Sequence, residues 1–420
     1  MKQMKDSGIE WIGEIPEDWE LIKIGSIFRC RNEKVNDTDY PPLSVTRNGI
    51  IPQIENVAKT DANDNRKMVK VNDFVINSRS DRKQSCGVSI LDGSVSLINT
   101  VLYTENTDVI LPEYTNLLMK NYGFAEEFYR WGHGIVADLW TTRWQEMKSI
   151  VLPLPNTQQQ EKIVRFVQKK VCGIDNLIAH EQAMIEELKA YKQSVITEAV
   201  TKGLDKSVPV KDSGVEWMGE VPESWCVLAT KRLFLVVSGA TPKSDKSEFW
   251  DGNIKWITPA DYKTEDIYIN GGKRSITEAG LKSCNTTMIP PNNIIFSKRA
   301  PIGAVAINNS ELCTNQGCLA CIAKEDLAVK YFYYVMSVFT EQYEFLGTGT
   351  TFKEISLNVF KDFLLPYPHI QEQIQIADYL DKECANIDSL ITIKQQKIEE
   401  LKEYKKSLIY EYVTGKKEVI

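Results

Sequence analysis

The sequence lacks an apolar run of the roughly 20 residues that a membrane-spanning helix requires. Its opening residues, MKQMKD, also lack the apolar core of a secretion signal. With 43% hydrophobic and 25% charged residues the composition is that of an ordinary globular protein, and 420 residues suffice for two or three domains. These features predict a cytoplasmic protein of several domains.

Cysteines are neither paired nor grouped as a structural framework would require. Their number, nine, is odd and their spacing is scattered, which argues against disulfide bonds. Cys318 and Cys321 form a lone CxxC without a second ligand pair, and His133, His180 and His369 lie far apart in the sequence. Buried thiols are therefore favoured, and a metal or redox site is the less favoured alternative.

Motifs that carry catalysis are also missing. There is no phosphate-binding GxxxxGK[ST] loop. The Asn/Asp-Pro-Pro-Tyr/Phe tetrapeptide of amino-methyltransferases is absent, because the proline pairs at 41–42 and 290–291 have neighbours in the wrong order. Gly347-Thr348-Gly349 is a short glycine pair typical of a turn. We therefore expect no catalytic residues, no metal and no cofactor in this chain.

Positive charge is scarce overall. The chain has 50 Lys and Arg against 57 Asp and Glu, a net charge of −7, which by itself argues mildly against nucleic-acid binding. A basic face on one side can coexist with acidic surfaces elsewhere, so the local distribution of charge has to decide.

What the sequence does contain is a duplication. Residues 5–19 recur as 211–225 with 11 of 15 positions identical, and residues 158–201 recur as 371–414. The stretches between the repeats share little, and a period of about 210 residues is too long for a solenoid. Like ends with unlike middles indicate one scaffold that carries two different binding domains, with simple drift after an old duplication as the alternative.

The first repeat is predicted to be structural. Trp11, Trp19, Trp217 and Trp225 are large apolar anchors, and the Gly-Glu-[Ile/Val]-Pro-Glu between them is typical of a turn followed by an extended segment. We expect it to dock domains in preference to contacting DNA.

The second repeat has the period of a long helix. From about Gly173 to Val200, and again in the copy, apolar residues recur at spacings of three, four and seven. About 28 residues span roughly 42 Å, and so narrow a seam cannot be covered by its own domain, which predicts an antiparallel pair of the two helices. Glu181 and Lys394 occupy matching seam positions, and whether they pair stays open. The predicted helix-pair interface comprises Ile178, Ile185, Leu188, Val195, Ile391, Ile398, Leu401 and Leu408.

The unlike middles, residues 20–151 and 226–364, mix short β-type runs with turns and are typical of compact α/β domains. Predicted elements are strands over 69–77 and 293–296 and helices over 114–129 and 327–343.

Polar and basic residues cluster in loops next to these strands. Arg and Lys suit phosphates and guanine edges, Asn and Gln suit adenine, and Ser and Thr suit either. One such cluster alone is more typical of a solvated loop, but both middles carry them. The predicted DNA contacts are Thr46, Arg47, Asn48, Asn77, Arg79, Arg82, Lys83 and Gln84 in the first middle and Thr241, Lys243, Lys273, Arg274, Ser297, Lys298 and Arg299 in the second.

Several segments resemble the specificity domain of type I restriction enzymes. In the second middle these are SGATP at 238–242, FWDGNIKWITP at 249–259, SKRAPIGAV at 297–305, TNQG at 314–317, GTGT at 347–350 and LPYP at 365–368. The first middle resembles the same family through LSVTRNG at 43–49 and a looser closing LPLP at 152–155. It lacks the Gly-Ala-Thr-Pro opening, which indicates a different recognition subfamily and target.

The resemblance implies a non-catalytic specificity (S) subunit of a type I restriction-modification complex. It implies a mixed α/β (α+β) fold with two globular target-recognition domains, separated by a long antiparallel two-helix coiled coil and related by a pseudo-twofold internal repeat. The corresponding segments are the N-terminal repeat 1–19, the recognition domain 20–155, the central helix 156–204, the repeated segment 205–225, the recognition domain 226–368 and the C-terminal helix 369–420.

The resemblance also implies partners. Each domain would read one half of a bipartite double-stranded DNA target, and the helices would form the spacer and the docking surface for two modification subunits. Those subunits would bind S-adenosylmethionine and methylate adenine, and restriction subunits with ATP and Mg would join the complex. Since a helix pair of about 42 Å is close to the roughly 34–36 Å of one DNA turn, we predict half-sites centred roughly 10 bp apart.

Two other functions stay open on the sequence. One is a single-chain methyltransferase or nuclease with unrecognised catalytic motifs. The other is a coiled-coil scaffold protein without a DNA role.

Overall fold

The computed structural model describes residues 3–53, 65–79, 82–134, 140–263, 266–324, 326–349 and 353–419. The chain forms two compact units, the first comprising Met1–Gln182 with Lys394–Ile420 and the second comprising Ala183–Ile393. Each unit contains one of the unlike middles and a part of each long helix.

Short strands and short helices build the first middle, as its turn-rich sequence predicts. The strands are β1 (Met4–Asp6), β2 (Glu14–Pro16), β3 (Glu20–Lys23), β4 (Arg29–Cys30), β5 (Lys34–Val35), β6 (Leu43–Thr46), β7 (Gly49–Pro52), β8 (Arg66–Val69), β9 (Phe74–Asn77), β10 (Cys86–Val88), β11 (Gly93–Val95), β12 (Asn99–Tyr103) and β13 (Val151–Leu154). The helices are α1 (Ile24–Ile27), α2 (Pro112–Lys120), α3 (Tyr122–Arg130), α4 (Trp144–Met147) and the long α5 (Thr157–Lys202).

The sheets of the first unit are small and antiparallel. One has the strand order β10-β9-β12-β4, another has the order β11-β8-β5, and β6 pairs with β7 in a hairpin. Strand β13 pairs with β3 and so brings the end of the middle back to its beginning, immediately before α5. Phe74, Phe124 and Phe128 are buried in one cluster with Val167 of α5, which joins the middle to the helix.

The second middle has longer strands. They are β14 (Val210–Asp212), β15 (Glu220–Pro222), β16 (Cys226–Ala229), β17 (Phe234–Ser238), β18 (Trp250–Ile257), β19 (Tyr268–Ile269), β20 (Arg274–Ile276), β21 (Asn293–Ser297), β22 (Val305–Asn308), β23 (Cys313–Thr314), β24 (Cys318–Ala323) and β25 (Leu364–Tyr367). The helices are α6 (Thr230–Leu233), α7 (Glu278–Ser283), α8 (Val329–Val338), α9 (Thr340–Leu346), α10 (Leu357–Asp362) and the long α11 (Ile370–Val413).

A five-stranded sheet dominates the second unit. Its order is β17-β24-β21-β22-β19, with β19 parallel to β22 and the other pairs antiparallel. The second unit also contains a three-stranded sheet with the order β20-β18-β23. Strand β25 pairs with β16, as β13 pairs with β3 in the first unit. The mixture of helix and sheet in two units, with two long helices, confirms the predicted fold class.

Three predicted elements are interrupted. The helix predicted over 327–343 is divided into α8 and α9 at Phe339. The strand predicted over 69–77 is two strands, because Asn72 adopts a positive φ of 72° between β8 and β9. The helix predicted over 114–129 is broken at Asn121, whose side chain accepts a hydrogen bond from the Phe124 amide (3.0 Å) and starts α3 as an N-cap.

Both long helices exceed the 28 residues predicted from the seam and lie within the segments 156–204 and 369–420 that the resemblance implies. Helix α5 has 46 residues and α11 has 44, which corresponds to roughly 69 and 66 Å. The prediction began at Gly173, but a glycine inside a helix destabilises it by only about 1 kcal/mol. Ile163 and Val167, roughly three and two turns further back, are buried in the core of the first unit and offset that loss. In the residues with assigned structure, no helix combines the length and apolarity needed to cross a bilayer.

Ion pairs show that the long helices run antiparallel within each unit. In the first unit Asp175 pairs with Lys405 (2.6 Å) and Glu181 pairs with Lys397 (2.6 Å). The partner's number on α11 falls as the number on α5 rises. In the second unit Lys192 pairs with Asp388 (2.7 Å). These two residues are the repeat equivalents of Lys405 and Asp175, so the same contact is made twice.

Glu181 is the buried polar residue of the seam. Its carboxylate accepts hydrogen bonds from Lys397 (2.6 Å) and Lys394 (3.0 Å), and its side chain is 6% exposed. These two hydrogen bonds hold the pKa of Glu181 below its usual value. The question left open by the sequence is thus answered, because Glu181 and Lys394 pair.

The predicted seam residues are buried to differing degrees. Ile185, Ile398 and Leu408 are buried, while Ile178, Leu188, Val195, Ile391 and Leu401 are half-buried. Leu177 and Leu390, which share the apolar spacing of the seam, are each 49% exposed and lie outside it. They occupy equivalent positions in the two copies.

Both copies of the Trp-rich repeat fold alike. Each forms a strand pair, β1 with β2 and β14 with β15, and a lysine ammonium donates to a backbone carbonyl across it: Lys5 to Glu17 and Lys211 to Glu223, both at 2.7 Å. Trp225 is buried and donates to Glu372 (2.9 Å) of α11. The repeat therefore packs against the scaffold, as its apolar anchors predict.

One tyrosine and one glutamine fasten each middle to its scaffold. Tyr114 donates to the carbonyl of Val413 (3.1 Å), and Tyr331 donates to that of Val200 (3.2 Å). The Gln160 side chain accepts from the Leu111 amide (2.9 Å) in the first unit, and Gln373 accepts from Ala328 (3.1 Å) in the second. The two middles, unlike in sequence, are thus attached by the same contacts.

We expect Glu181→Gln to lower the melting temperature at about pH 7, because the neutral amide loses both charged hydrogen bonds. A carboxyl whose pKa is lower in the folded state stabilises the fold above its unfolded pKa and loses that contribution as the pH falls. The difference between variant and wild type should therefore shrink below about pH 4. Thermal unfolding followed by circular dichroism across pH measures it. Glu186→Gln, in an exposed pair with Lys189, is the control, and an equal effect there would contradict the assignment.

Candidate nucleic-acid interface

The tip of the β6–β7 hairpin presents the first cluster of predicted contacts. Thr46 shapes the two-residue turn, because its hydroxyl accepts from the Asn48 amide (3.1 Å) and donates to the Gly49 carbonyl (2.9 Å). Arg47 and Asn48 are exposed. Arg47 Nε donates to the backbone carbonyl of Lys83 (3.2 Å), so the hairpin tip and the loop after β9 form one surface.

The loop after β9 begins with a residue that shapes it. Asn77 is 8% exposed, and its side-chain oxygen accepts from the Arg79 amide (3.0 Å). Ser78 is buried too, hydrogen-bonded to Thr100 (2.9 Å). The prediction of Asn77 as a DNA contact is therefore corrected, since its amide is engaged inside the loop. Ser80 and Asp81 of the same cluster lie outside the described residues.

The remaining residues of this loop differ in their surroundings. Arg79 and Arg82 are exposed, and Gln84 is half-buried with a positive φ of 64°. Lys83 is exposed but engaged, because its ammonium contacts both oxygens of Glu126 at 3.1 Å and lies 5.6 Å from the Tyr129 ring centre. Lys83 is thus partly neutralised. Arg47, Asn48, Arg79 and Arg82 make up the exposed part of the surface, with the half-buried Gln84 beside them.

In the second unit, two tryptophans of β18 bring separate clusters together. Trp250 donates to the Lys243 carbonyl (3.1 Å) and stacks under the Arg274 guanidinium, 3.6 Å from its ring centre. Trp256 donates to the Ala240 carbonyl (3.1 Å), next to Thr241. The clusters at 241–243 and 273–274 therefore share one surface, although Arg274 is held by its aromatic neighbour. Lys273 is exposed, and its backbone amide is bound by Asp261 (2.9 Å).

Thr241 has a partner that the sequence did not single out. Its hydroxyl is hydrogen-bonded to the side-chain oxygen of Gln316, and both residues are exposed. Gln316 lies in the TNQG segment that carried the family resemblance, and its amide can pair with an adenine edge. Residue chemistry together with that motif could have identified it.

The loop after β21 is more constrained than predicted. Ser297 is fully buried and its hydroxyl donates to the Arg299 carbonyl (2.7 Å), which corrects its assignment as a DNA contact. Lys298 and Arg299 both pair with Glu354, at 2.7 and 2.6 Å. Burial alone would raise the pKa of Glu354, but these two cations lower it. Glu354 lies 55 residues from Arg299, and no local signal in the sequence connects the two.

Comparison with known protein families identifies the kind of protein to which these two candidate surfaces belong. Residues 222–403 match the model of the type I restriction modification DNA specificity domain. This part of the chain belongs to the type I restriction specificity family. The chain's predicted identity as a specificity subunit, without catalytic function of its own, is confirmed by this membership and by the relatives below.

Specificity subunits of other organisms are similar to this chain, some over part of its length and one over nearly all of it. The MjaIX specificity subunit of Methanocaldococcus jannaschii is 37% identical over 185 residues, which span 43% of this chain and 42% of that subunit. The putative MjaX specificity subunit of the same organism is 25% identical over 96% of this chain and 95% of its own length. The EcoR124I/EcoR124II specificity subunit of Escherichia coli is 26% identical over 58% of this chain and 57% of that subunit.

Solved structures share the fold. A chain from a study of complex assembly and conformational transition of the type I R-M system matches with a TM-score of 0.72 over 95% of this chain and 98% of its own, at 16% identity. The HsdS subunit from Thermoanaerobacter tengcongensis matches with a TM-score of 0.54 over 96% of this chain and 98% of its own, also at 16% identity.

Equivalent loops of the two middles differ in charge. Arg79 forms a backbone bridge with Thr141, which itself bridges to His133, and Arg299 forms one with Glu354, which bridges to Thr348. Arg79 and Arg299 therefore hold matching places. Glu354 neutralises Arg299, whereas the threonine opposite Arg79 carries no charge. Arg79 is thus the better placed of the two to bind a base edge or a phosphate.

In the part of the chain that the structure describes, no group of three metal-binding side chains occurs. Cys318 and Cys321 are buried in β24. The expectation of buried thiols holds for these two, whereas Cys172 and Cys226 are exposed.

We expect Cys172 and Cys226 to react with a disulfide reagent such as DTNB in the folded chain at about pH 8, and Cys318 and Cys321 to react only after unfolding. Burial raises the pKa of Cys318 to about 12 and that of Cys321 above its usual value, so neither forms a thiolate. Mass spectrometry of the labelled chain identifies the sites. Labelling of Cys318 that appears only after EDTA treatment would instead indicate a metal ligand.

Proposed function

We propose that this specificity subunit recognises a bipartite sequence in double-stranded DNA and docks two adenine-methyltransferase subunits of a type I restriction-modification complex. The observation that carries the proposal is a contrast between the two units. They share their scaffold contacts, down to Tyr114 with Val413 and Tyr331 with Val200. Their candidate DNA surfaces are unlike, as two different half-sites require.

The side chains on the two surfaces support different readouts. The first unit offers Arg47, Asn48 and Arg79, which suit guanine and adenine edges in the major groove. The second offers Thr241 and Gln316 as a hydrogen-bonded pair, which suits adenine. Two such surfaces on one chain give a split target in which each half is read separately.

Duplicated apolar residues on the long helices support the docking of two identical partners. Leu177 and Tyr404 are 49% and 55% exposed in the first unit, and their equivalents Leu390 and Tyr191 are 49% and 57% exposed in the second. Exposed apolar side chains at repeated positions favour a protein surface that binds them twice. The match to a chain from a type I R-M assembly agrees with this.

Catalysis is assigned to the partners under this proposal. Modification subunits would bind S-adenosylmethionine, flip the target adenine out of the duplex and methylate it, and restriction subunits would use ATP and Mg. This chain would bind no cofactor and would act on DNA in the cytoplasm.

Mapping of methylated adenines in DNA from cells that carry the whole system tests the function. We expect one bipartite motif, lost when the gene for this chain is deleted. Methyl transfer by the purified chain alone would favour the single-chain enzyme, and unchanged methylation after deletion would favour a scaffold without a DNA role.

We expect Arg79→Ala to weaken binding of the assembled complex to its target roughly 5- to 150-fold, the 1–3 kcal/mol of a lost base contact. Only one half of the methylated motif should relax, because the second unit is untouched. Fluorescence anisotropy with the target duplex measures affinity, and methylome mapping measures the motif.

Arg29→Ala is the matched control, since Arg29 is an exposed arginine of the same unit outside the candidate surface. Arg299→Ala should also lower the melting temperature, because Glu354 loses a partner. Wild-type affinity and an unchanged motif in Arg79→Ala would exclude Arg79 from the interface.

We expect the spacer of the DNA target to follow the length of the long helices. Removal of 184–190 from α5 and 390–396 from α11 keeps the Glu181–Lys397 and Lys192–Asp388 pairs and the heptad phase. Because it also removes Lys394 and Leu390, folding of the variant and its binding of the modification subunits are checked first. Seven residues correspond to roughly 10 Å of helix, or about 3 bp. The methylated motif should lose about that many bases between its halves, and an unchanged spacer in a folded variant would refute the ruler.

A further inference from the structure

The first unit contains a basic groove whose positive charges are not all needed to hold the long helices together. It has a volume of about 610 Å³ and lies between the hairpin tip, helix α2 and the last third of α11. Its cationic lining residues are Arg47, Lys120, Lys402, Lys405 and Lys406, and Asp175 is the acidic residue among the described lining side chains. In a chain of net charge −7 this is a local reversal of sign.

The ion pairs around the groove leave it positive. Lys405 is held by Asp175 at 2.6 Å. Lys402 and Lys406 pair with Glu399 and Glu403 one turn away, in exposed i,i+3 pairs. Such pairs stabilise a helix by only about 0.2–0.5 kcal/mol, so the lysines can turn to a stronger anion at little loss.

Lys120 lacks a counterion among the described residues. It is half-buried as the last residue of α2, and no carboxylate of the described chain pairs with it. Burial lowers the pKa of Lys120, and Lys405 lowers it further although Cys86 opposes this. An ammonium in such a place is stabilised by any anion that enters the groove.

The second unit shows that the scaffold does not need the charge of Lys406. Lys192 and Asp388 repeat the pair of Lys405 and Asp175. The position equivalent to Lys406 is Gln193, whose amide donates to the Val338 carbonyl (3.3 Å) and packs against the middle. At this position the second unit has a neutral hydrogen bond to its middle, whereas the first unit has a positive charge that faces the groove.

The groove is continuous with the candidate base-reading surface, since Arg47, Asn48 and Gln84 line both. We infer that the C-terminal third of α11, with Lys120, forms a phosphate clamp that holds the backbone of the duplex read by the hairpin tip. This inference rests on the proposed function and assigns a DNA contact to a scaffold helix of the first unit alone.

The double variant Lys120→Met, Lys406→Gln tests the clamp in the complex with the modification subunits. Lys406→Gln installs the residue that the other repeat carries, so it should not disturb folding, and it also serves as a single variant. Lys189→Gln is the matched control, because Lys189 repeats Lys402 and its i,i+3 pair, with Glu186, in the unit without the groove.

Affinity for the target duplex and for a scrambled duplex is measured across NaCl concentration. Each lost phosphate contact should reduce the slope of log K against log salt by about 0.9. At about 0.15 M salt this is roughly 5-fold in affinity per lysine and roughly 30-fold for the double variant. Both duplexes should be affected equally, since phosphates carry no sequence information, and Lys189→Gln should bind as wild type does.

Two results would overturn the clamp, and a third would refute the function on which it rests. An unchanged slope in a complex that still discriminates its target refutes the clamp and leaves the proposed function standing. Inorganic phosphate that raises the melting temperature of wild type but not of the double variant, with DNA affinity equal, assigns the groove to a free anion. A complex that shows no preference for its target refutes the proposed function itself.

Discussion

The pairing of Glu181 with Lys394 and Lys397 is the contact on which the register of the two long helices depends. Positions 181 and 394 are equivalent in the repeat and meet each other in the first unit. A perfect duplication would set the same side chain against itself. The two copies have instead diverged to opposite charges, and the buried carboxylate is satisfied by two ammonium groups. A shift of one helix along the other would leave that carboxylate buried and unpaired.

The fixed register explains how two unlike middles are carried by one scaffold. Asp175 with Lys405 and Asp388 with Lys192 repeat the same ion pair in each unit. Tyrosine and glutamine contacts then attach each middle at the same points. Everything beyond those points can vary, because the reading loops are shaped by their own hydrogen bonds. Buried Asn77 and Ser297 make these hydrogen bonds, and the neighbouring Arg79 and Arg299 lie at the surface.

How far the sequence could predict the structure depended on the range of the interactions. The duplication and the helical period are local patterns, so the paired helices could be predicted from them. The length of α5 was underestimated at Gly173, because burial of Ile163 and Val167 against the middle is a tertiary contact. The same holds at the candidate site: residue types pointed to Arg47 and Arg79 as candidates, but Glu354 meets Arg299 from a distant segment. Lys120 and Lys406 come from different elements, and only the fold brings them to one groove.

An acidic chain that contacts DNA raises an electrostatic question that the distribution of charge answers. Many carboxylates are engaged on the helices, where Asp175, Glu181 and Asp388 each hold a lysine. Exposed charges farther away than about 8 Å are screened at physiological salt, so a phosphate in the groove responds to the nearby cations and hardly to the net charge. The same screening leaves little long-range attraction between the free chain and DNA. Binding must then come from contacts made at short range, by loops and lysines that the helices hold in place within each unit.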